Sequence, residues 1–164
     1  MRMALIACQV LLRELSHVIA SSENVCIPYW LPQGLHDTPE KLREQVNEKI
    51  IEVEREWEEK PPYRRLDCIV LGYALCGKGI SGVKAGKLPF IVPRTDDCIA
   101  LFLGSQERYL KYFNKYKGTY WFTPGWLESA GMSPSKEHYD YKYNQYLDQF
   151  GEENAEYLME EESR

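Results

Sequence analysis

The sequence has no long apolar run, and this lack limits where the protein can function. A membrane-spanning helix needs about 20 predominantly apolar residues, and no segment of the 164 residues approaches that length. The apolar stretch near the N-terminus is interrupted by Arg13 and Glu14 and has no small-residue cleavage site, so it does not fit a secretory signal. The sequence therefore predicts a cytoplasmic protein without a membrane partner.

An excess of positive charge is also missing. The chain has 20 Lys and Arg residues against 25 Asp and Glu residues, which gives a formal net charge of −5. Affinity for DNA and RNA comes largely from Lys and Arg near the phosphates, so nucleic acid is not an expected partner. Hydrophobic residues at 44% and charged residues at 27% are typical of a folded globular chain.

Cysteines with paired spacing are absent. The chain has five cysteines, an odd number, and their positions match no disulfide framework of a small secreted protein. Reduced thiols or a metal site are the better prediction. Cys26 and Cys68 fall inside predicted strands and are assigned to packing.

Apolar runs alternate with amphipathic segments along most of the chain. Strands are predicted over residues 3–7, 24–30, 66–74 and 88–92. Helices are predicted over residues 9–20, 39–59 and from residue 99 to 103, the last capped by one of two aspartates. This alternation predicts an α/β fold, a three-layer sandwich with a mainly parallel, Rossmann-like sheet.

Two further elements and a second region complete the predicted organisation. A short helix is expected through Val83 and Ala85, and an edge strand within residues 117–126. Residues 1–128 are predicted to form the α/β domain. Residues 129–164 are predicted to form a polar extension, rich in aromatic and acidic side chains, that is helical or frayed.

Cysteines follow three of the four predicted strands. Cys8, Cys76 and Cys98 come after the first, third and fourth strands, and His36 lies in the loop after the second. Because ligands of open parallel sheets bind at the carboxyl ends of the strands, these side chains are expected to meet at one edge. Thiolates and imidazole suit zinc, and three thiolates suit an iron–sulfur cluster with one iron free. The sequence predicts one of these groups without deciding between them, and packing of buried thiols is the alternative.

Charged residues at the same edge are candidates for catalysis. The candidate catalytic residues all follow predicted strands, and they are His36, Asp37, Arg94 and Asp97. His36 is predicted to be the fourth metal ligand or a nearby acid or base. Arg94 is predicted to hold an anionic small-molecule substrate or to balance the charge of the thiolates.

The segment after the third strand offers a different kind of site. Gly77, Gly79 and Gly82 fit the spacing G-x-G-x-x-G, and Asp96 or Asp97 could then meet a ribose. A nucleotide- or adenosyl-binding module is therefore an alternative function. Glycines that only form a turn are the simpler explanation, with Gly79 expected at a positive φ. A non-catalytic interaction domain using the aromatic C-terminal region is a third alternative.

Several short motifs together carry a family resemblance. They are Ala7-Cys8, Leu31-Pro32-Gln33-Gly34-Leu35-His36-Asp37-Thr38-Pro39, Leu71-Gly72-Tyr73-Ala74-Leu75-Cys76-Gly77, Ile91-Val92-Pro93-Arg94, Asp97-Cys98-Ile99, Gly118-Thr119-Tyr120 and Thr123-Pro124-Gly125-Trp126. In combination, over residues 3–127, they resemble the DUF1638 family of uncharacterised proteins.

The resemblance implies a biological setting more than a mechanism. Family members occur largely in anaerobic bacteria and archaea, often near genes of corrinoid-dependent methyl transfer. The implied partner is therefore a corrinoid protein or a methyltransferase, and the implied role is an enzyme or accessory factor of one-carbon metabolism. The family pattern includes Cys8, His36, Cys76 and Cys98. Members usually continue with another strand and helix, which implies that this chain is C-terminally truncated.

Overall fold

A parallel sheet lies at the centre of the first of two units. The computed structural model describes residues 1–129 and 136–162, and the chain divides into the units Met1–Ser129 and Ala130–Arg164. The described residues contain four strands: β1 (Arg2–Cys8), β2 (Val25–Leu31), β3 (Cys68–Gly72) and β4 (Phe90–Ile91). Every neighbouring pair is parallel, and the order across the sheet is β2-β1-β3-β4.

This strand order fixes where a ligand site can form. β1 pairs with β2 from Arg2 opposite Val25 to Cys8 opposite Leu31, and its other edge pairs with β3. After β1 the chain therefore goes to β2 on one side of it, and later crosses to β3 on the other side. Ligands of such sheets bind where this direction reverses, outside the carboxyl ends of the strands. The predicted α/β fold with a parallel sheet is confirmed, while the Rossmann-like assignment stays a prediction.

Helices connect the strands. The helices described in the first unit are α1 (Leu12–Ser21), α2 (Pro39–Glu58), α3 (Cys98–Phe102), α4 (Gln106–Lys115) and α5 (Pro124–Ser129), with 3-10 turns at Gln9–Leu11, Leu35–Asp37 and Pro62–Arg64. The predicted helix over residues 39–59 is confirmed as α2. Pro39 begins it because its fixed φ suits the first helical position, and the prolines at 61 and 62 follow its end.

Helices cover both faces of the sheet. One face packs against α2 in a buried cluster that includes Ala4, Ile6, Ile69 and Leu71 of the strands and Leu42, Val46, Ile50 and Val53 of the helix. On the other face, a cavity of about 350 Å³ lies among Leu5, Val70, Leu15 of α1 and Leu101 of α3. Side chains of β1 and β3 alternate between these faces, as the period of a strand requires.

Two predicted elements do not form. Residues 83–86 are irregular rather than helical, and the backbone N–H of Lys84 donates to Asn47 Oδ1 of α2 at 2.9 Å. The edge strand predicted within 117–126 is also wrong, because residues 119–123 have no regular structure and α5 begins at Pro124. Thr123 Oγ1 accepts the N–H of Trp126 at 3.1 Å in the manner of an N-cap, which favours a helix start. β4 is shorter than the predicted strand 88–92.

The described part of the second unit contains two helices, α6 (Lys136–Phe150) and α7 (Glu152–Glu162). Gly151 separates them with a φ of 80°, a left-handed conformation that glycine adopts without steric cost. Across residues 1–129 and 136–162, no helix combines the length and the apolar character needed to cross a bilayer.

Candidate functional site

Three cysteines come to the carboxyl edge of the sheet. Cys8 is the last residue of β1, Cys76 lies in the loop after β3, and Cys98 is the first residue of α3, which follows β4. Past the ends of β3 and β4, the N–H of Cys76 donates to the carbonyl oxygen of Asp96 at 3.0 Å. This bond holds the Cys76 loop beside the segment that leads to Cys98.

All three thiols have a raised pKa, and burial is the largest cause for each. Burial raises the pKa of Cys76 to about 12, and the thiols of Cys98 and Cys8 add to the rise. Burial also raises the pKa of Cys98 to about 11, followed by the effects of Asp97 and Cys8. The pKa of Cys8 is raised by burial, against which a backbone N–H and the Tyr73 hydroxyl act. All three thiols therefore keep their protons at neutral pH.

The thiols form a neighbouring set rather than a closed ligand set. Across the residues that the structure describes, no three His, Cys, Asp or Glu side chains are positioned to hold a metal ion. Their chemistry still fits a thiophilic metal, because thiolate sulfur is a preferred ligand of zinc and of iron–sulfur clusters. Cys8 is fixed in a strand and Cys98 in a helix. Cys76, in the loop after β3, is the one of the three that lies outside a strand or helix.

The Cys76 loop has an unusual backbone. Cys76, Gly77 and Lys78 have successive φ values of 44°, 62° and 70°. A left-handed residue with a Cβ costs roughly 1–2 kcal/mol, and such strain concentrates in functional loops. Gly79 anchors this loop, because a Cβ there would lie 2.5 Å from Leu42 Cδ2 of α2. Gly79 is thus required for close packing, and the expected positive φ at this position is wrong.

Tyr73 is a candidate that the sequence analysis did not assign. The register pairs Ala7 with Gly72, so the next residues, Cys8 and Tyr73, belong to one face, and both lie in the buried cluster against α2. The Tyr73 side chain is 3% exposed. Burial, followed by the adjacent Cys8, raises the pKa of Tyr73 far above its ordinary value. The two-residue alternation of the third apolar run, which places Tyr73 on its buried face, was the available signal.

The Tyr73 hydroxyl has no hydrogen-bond partner among the described residues. It lies beside the Cys8 thiol, and a poorly aligned hydrogen-bond contact between the two groups lowers the pKa of Cys8 and raises that of Tyr73. Buried hydroxyls are normally paired, because an unpaired one has lost its bonds to water. This hydroxyl therefore has hydrogen-bonding capacity to offer at the thiol set.

Asp97 has a structural role at the same edge. Its Oδ1 accepts the N–H groups of Ile99 at 3.0 Å and Ala100 at 3.2 Å, which caps α3 and fixes Cys98 at the first helical position. Burial, and then the Asp97 carboxylate, raise the pKa of Tyr109 to about 12. The predicted aspartate cap is confirmed, and a catalytic role of Asp97 stays a prediction.

His36 and Asp37 lie beside the Cys76 loop in the 3-10 turn after β2. A Cβ placed on Gly77 would lie 3.8 Å from the carbonyl oxygen of His36. The imidazole itself is 53% exposed and its Nε2 lies 3.4 Å from Asp37 Oδ1. Arg94 is also exposed. The turn therefore borders the thiol set, while the imidazole faces its neighbouring carboxylate, and the predicted ligand or acid–base role of His36 remains untested.

The glycine-rich segment lacks a feature on which phosphate sites of this kind depend. Such sites place the phosphate at the N-terminus of a following helix, and the residues after Gly82 are irregular. Gly77 and Gly82 have φ values of 62° and 86°, which a turn explains. The side chain of Asp96, a ribose candidate, accepts from Gln106 Nε2 at 2.6 Å. The structure gives this alternative no further support.

Comparison with known proteins identifies a family. The model of DUF1638, described as a protein of unknown function, matches residues 30–164, which is most of the chain. No curated protein and no solved structure matches the chain. The protein therefore belongs to the DUF1638 family. The matched range contains His36, Cys76 and Cys98, whereas Cys8 precedes it.

Proposed function

We propose that this DUF1638 protein binds a thiophilic metal, either zinc or an iron–sulfur cluster, through Cys8, Cys76 and Cys98. The observation that supports the proposal is that three thiols from separate segments of the chain come to the carboxyl edge of one sheet, where Cys8 adds to the raised pKa of both Cys76 and Cys98. All three are free of disulfides. Neighbouring, mostly buried thiols are the donor set that such metals select.

The bound group would supply a Lewis acid with an open coordination position. The protein's part is to release a proton from each thiol to solvent as the site fills, so the raised pKa values of the thiols make metal uptake strongly dependent on pH. The His36 turn borders the loop and is the nearest source of a further ligand or base, provided the imidazole leaves Asp37.

The role we propose is that of an enzyme or accessory factor in anaerobic one-carbon metabolism linked to corrinoid methyl transfer. A thiolate-bound zinc suits activation of a substrate thiol for such chemistry. This setting is supported by the family resemblance alone. A corrinoid protein is the proposed partner, and exposed aromatic side chains such as Tyr120 and Phe122, 82% and 59% exposed, offer a surface for it.

The proposal is tested by measuring metal in protein expressed and purified without oxygen. We expect about one zinc per chain, or iron with acid-labile sulfide and a broad visible absorbance. Cys8→Ser, Cys76→Ser and Cys98→Ser should each lose most of the metal, because each removes one thiolate. Cys26→Ser and Cys68→Ser are the matched controls, since they remove thiols from strands at the opposite end of the sheet, and they should retain it.

Two results would overturn the proposal. One is wild-type protein that holds no stoichiometric metal and takes none up on anaerobic reconstitution. The other is equal loss of metal in the variants at both ends of the sheet, which would show that folding rather than ligation was affected. A metal-free protein that forms a stable complex with a corrinoid protein would favour the interaction function instead.

A further inference from the structure

The cavity on the face of the sheet opposite α2 has no part in the proposed function. It measures about 350 Å³ and lies between the strands β1 and β3 and the helices α1 and α3. Sites for small molecules span roughly 300–1,000 Å³, and an apolar cavity of about 150 Å³ already admits benzene. Val18 of α1 lines the cavity and is 58% exposed, so the cavity opens to solvent at this residue. A small molecule can therefore enter it.

The walls of this cavity are apolar with one exception. Leu5, Val70 and Leu101 are typical of the lining, and Glu14 is the one charged side chain among the described residues that line it. Glu14 lies in the first turn of α1. A mostly apolar wall with few polar groups is typical of sites that bury an apolar body and fix its orientation through a polar end.

The carboxylate of Glu14 lacks a partner. Its Oε2 is shielded from solvent and accepts no hydrogen bond from the described residues. No ion pair of the described residues includes Glu14, and the neighbouring cation, Arg13, donates through its Nε to Glu128 Oε2 at 2.7 Å. A shielded carboxylate oxygen without a donor or a cation destabilises the folded state. A ligand that brings a cation to this oxygen would remove that penalty.

The close approach of α5 explains the shielding. A Cβ on Gly125 would lie 3.7 Å from Glu14 Oε2 and 2.5 Å from the carbonyl oxygen of Val10, so α5 covers the carboxylate at close range. Glu14 also borders the cavity. The cavity is therefore the side from which a ligand reaches this side chain.

We infer that this cavity binds a small primary amine with an apolar body, whose ammonium group pairs with the Glu14 carboxylate. An ammonium group carries three donors and a positive charge, so it supplies both the hydrogen bond and the counter-charge that Glu14 lacks. A neutral alcohol supplies only the hydrogen bond, and an anion adds a like charge. Cys8 belongs to the buried cluster on the other face of the sheet, so the inference does not depend on the proposed metal.

The test compares octylamine, 1-octanol and octanoate, which share an alkyl chain and differ in the polar end. Titration of the reduced protein at neutral pH, followed by protein NMR, measures each affinity and shows which amides respond. We expect octylamine to bind about tenfold more tightly than 1-octanol, because a hydrogen bond between charged groups is stronger than one to a neutral donor. Octanoate should bind most weakly, since Glu14 repels it.

Three variants locate the effect. Glu14→Gln keeps the size of the side chain and removes its charge, so it should weaken octylamine binding about tenfold and leave 1-octanol binding unchanged. Glu23→Gln is the matched control, because it removes the same charge from an exposed position after α1 and should change neither affinity. Val18→Trp places a larger side chain at the opening and should weaken the binding of every probe. Metal content should be the same in all three variants as in the wild type.

Several results would overturn the inference and leave the metal proposal standing. One is wild-type protein that fails to bind octylamine, or that binds it no better than 1-octanol. Another is an equal loss of octylamine binding in Glu23→Gln and Glu14→Gln, which would mean that the amine responds to net charge. A wild-type dimer that Val18→Trp converts to a monomer would show that a second copy covers the cavity. A Glu14→Gln protein that fails to fold would give the carboxylate a structural role instead.

Discussion

The two ends of the parallel sheet hold cysteines in different surroundings. At the amino end, Cys26 of β2 and Cys68 of β3 both pair in register with Met3 of β1, and Cys68 is 2% exposed. At the carboxyl end, Cys76 and Cys98 lie beyond the strands, one in a strained loop and one at a helix start. The same residue type therefore occupies a packed strand at one end and a connection at the other.

This difference indicates that position along a strand determines which residues a thiol can approach. A cysteine near the start of a paired strand, such as Cys26 or Cys68, has its backbone fixed by the ladder, and its side chain fills space as a small apolar group. Cys8, by contrast, is the last residue of its strand. A cysteine beyond the strand can be directed toward residues from other connections, because the carboxyl ends of parallel strands open at one edge.

At the carboxyl end of the sheet, β3 ends in Gly72, which has no side chain and packs closely against β1. Adding a side chain there should have the largest effect on stability. A Cβ on Gly72 would lie 2.5 Å from Ala7 Cβ and 3.3 Å from Leu15 Cδ1, so β1 and β3 must separate to admit it. We expect Gly72→Ala to lower the free energy of unfolding by about 3 kcal/mol, the upper part of the range for overpacking. Urea denaturation followed by circular dichroism measures the change.

The control for this variant exchanges the two side chains. Ala7→Gly combined with Gly72→Ala removes the Cβ that causes the clash, and should recover part of the lost stability. Wild-type stability in Gly72→Ala alone would show that the two strands are not as close at this end as the structure has them.

The second prediction concerns alkaline pH and the reduced, metal-free protein. Folding raises the pKa of Cys76 to about 12 and that of Cys98 to about 11, from an ordinary value of 9.0. Between pH 9.0 and these raised pKa values, the unfolded chain loses thiol protons that the folded chain keeps. The contribution of the two thiols to the free energy of unfolding is therefore complete below about pH 9 and falls as the pH rises. Solvent reaches both thiols in part and screens the effect. We expect a loss of at most about 2 kcal/mol between pH 8 and 10.

Urea midpoints at pH 8 and 10 measure this loss. A variant that combines Cys76→Ser and Cys98→Ser has no thiol to titrate at these positions, so its stability should fall less over the same interval. Equal losses in the variant and the wild type would contradict the prediction, because other groups would then account for the pH dependence.

Much of the fold and of the thiol arrangement could be predicted from local pattern. The apolar runs ending near Cys8 and Cys76 predict strands, and the rule that parallel strands open at one edge predicts that both thiols lie at that edge. The aspartate before Cys98 predicted a helix cap, because Asp is a preferred N-cap residue. These features depend on neighbouring residues in sequence.

The features that were missed depend on contacts between distant segments. The role of Gly79 comes from its approach to Leu42, which no local turn rule contains. The burial of Tyr73 beside Cys8 follows from the register between β1 and β3. The edge strand was predicted from aromatic residues that favour strands, but no partner strand pairs with residues 119–123 among the described residues.

The smallest predicted effect concerns the cap that holds Cys98 at the carboxyl edge. Asp97 Oδ1 accepts two backbone N–H groups at the start of α3, whereas Thr38, at the corresponding position of α2, makes no side-chain cap bond. We expect Asp97→Ala to lower the free energy of unfolding by about 1 kcal/mol and Thr38→Ala to change it little. Thermal unfolding of both variants makes the comparison.

Asp97→Asn separates the cap from the charge. Asparagine caps helices about as well as aspartate, so this variant should keep nearly all of the wild-type stability. It also removes the carboxylate that helps to raise the pKa of Cys98, so the Cys98 thiol should be alkylated faster at pH 9 than in the wild type. If Thr38→Ala proved as costly as Asp97→Ala, the two hydrogen bonds would not account for the stability of α3. The position of Cys98 would then depend on packing, as at the amino end of the sheet.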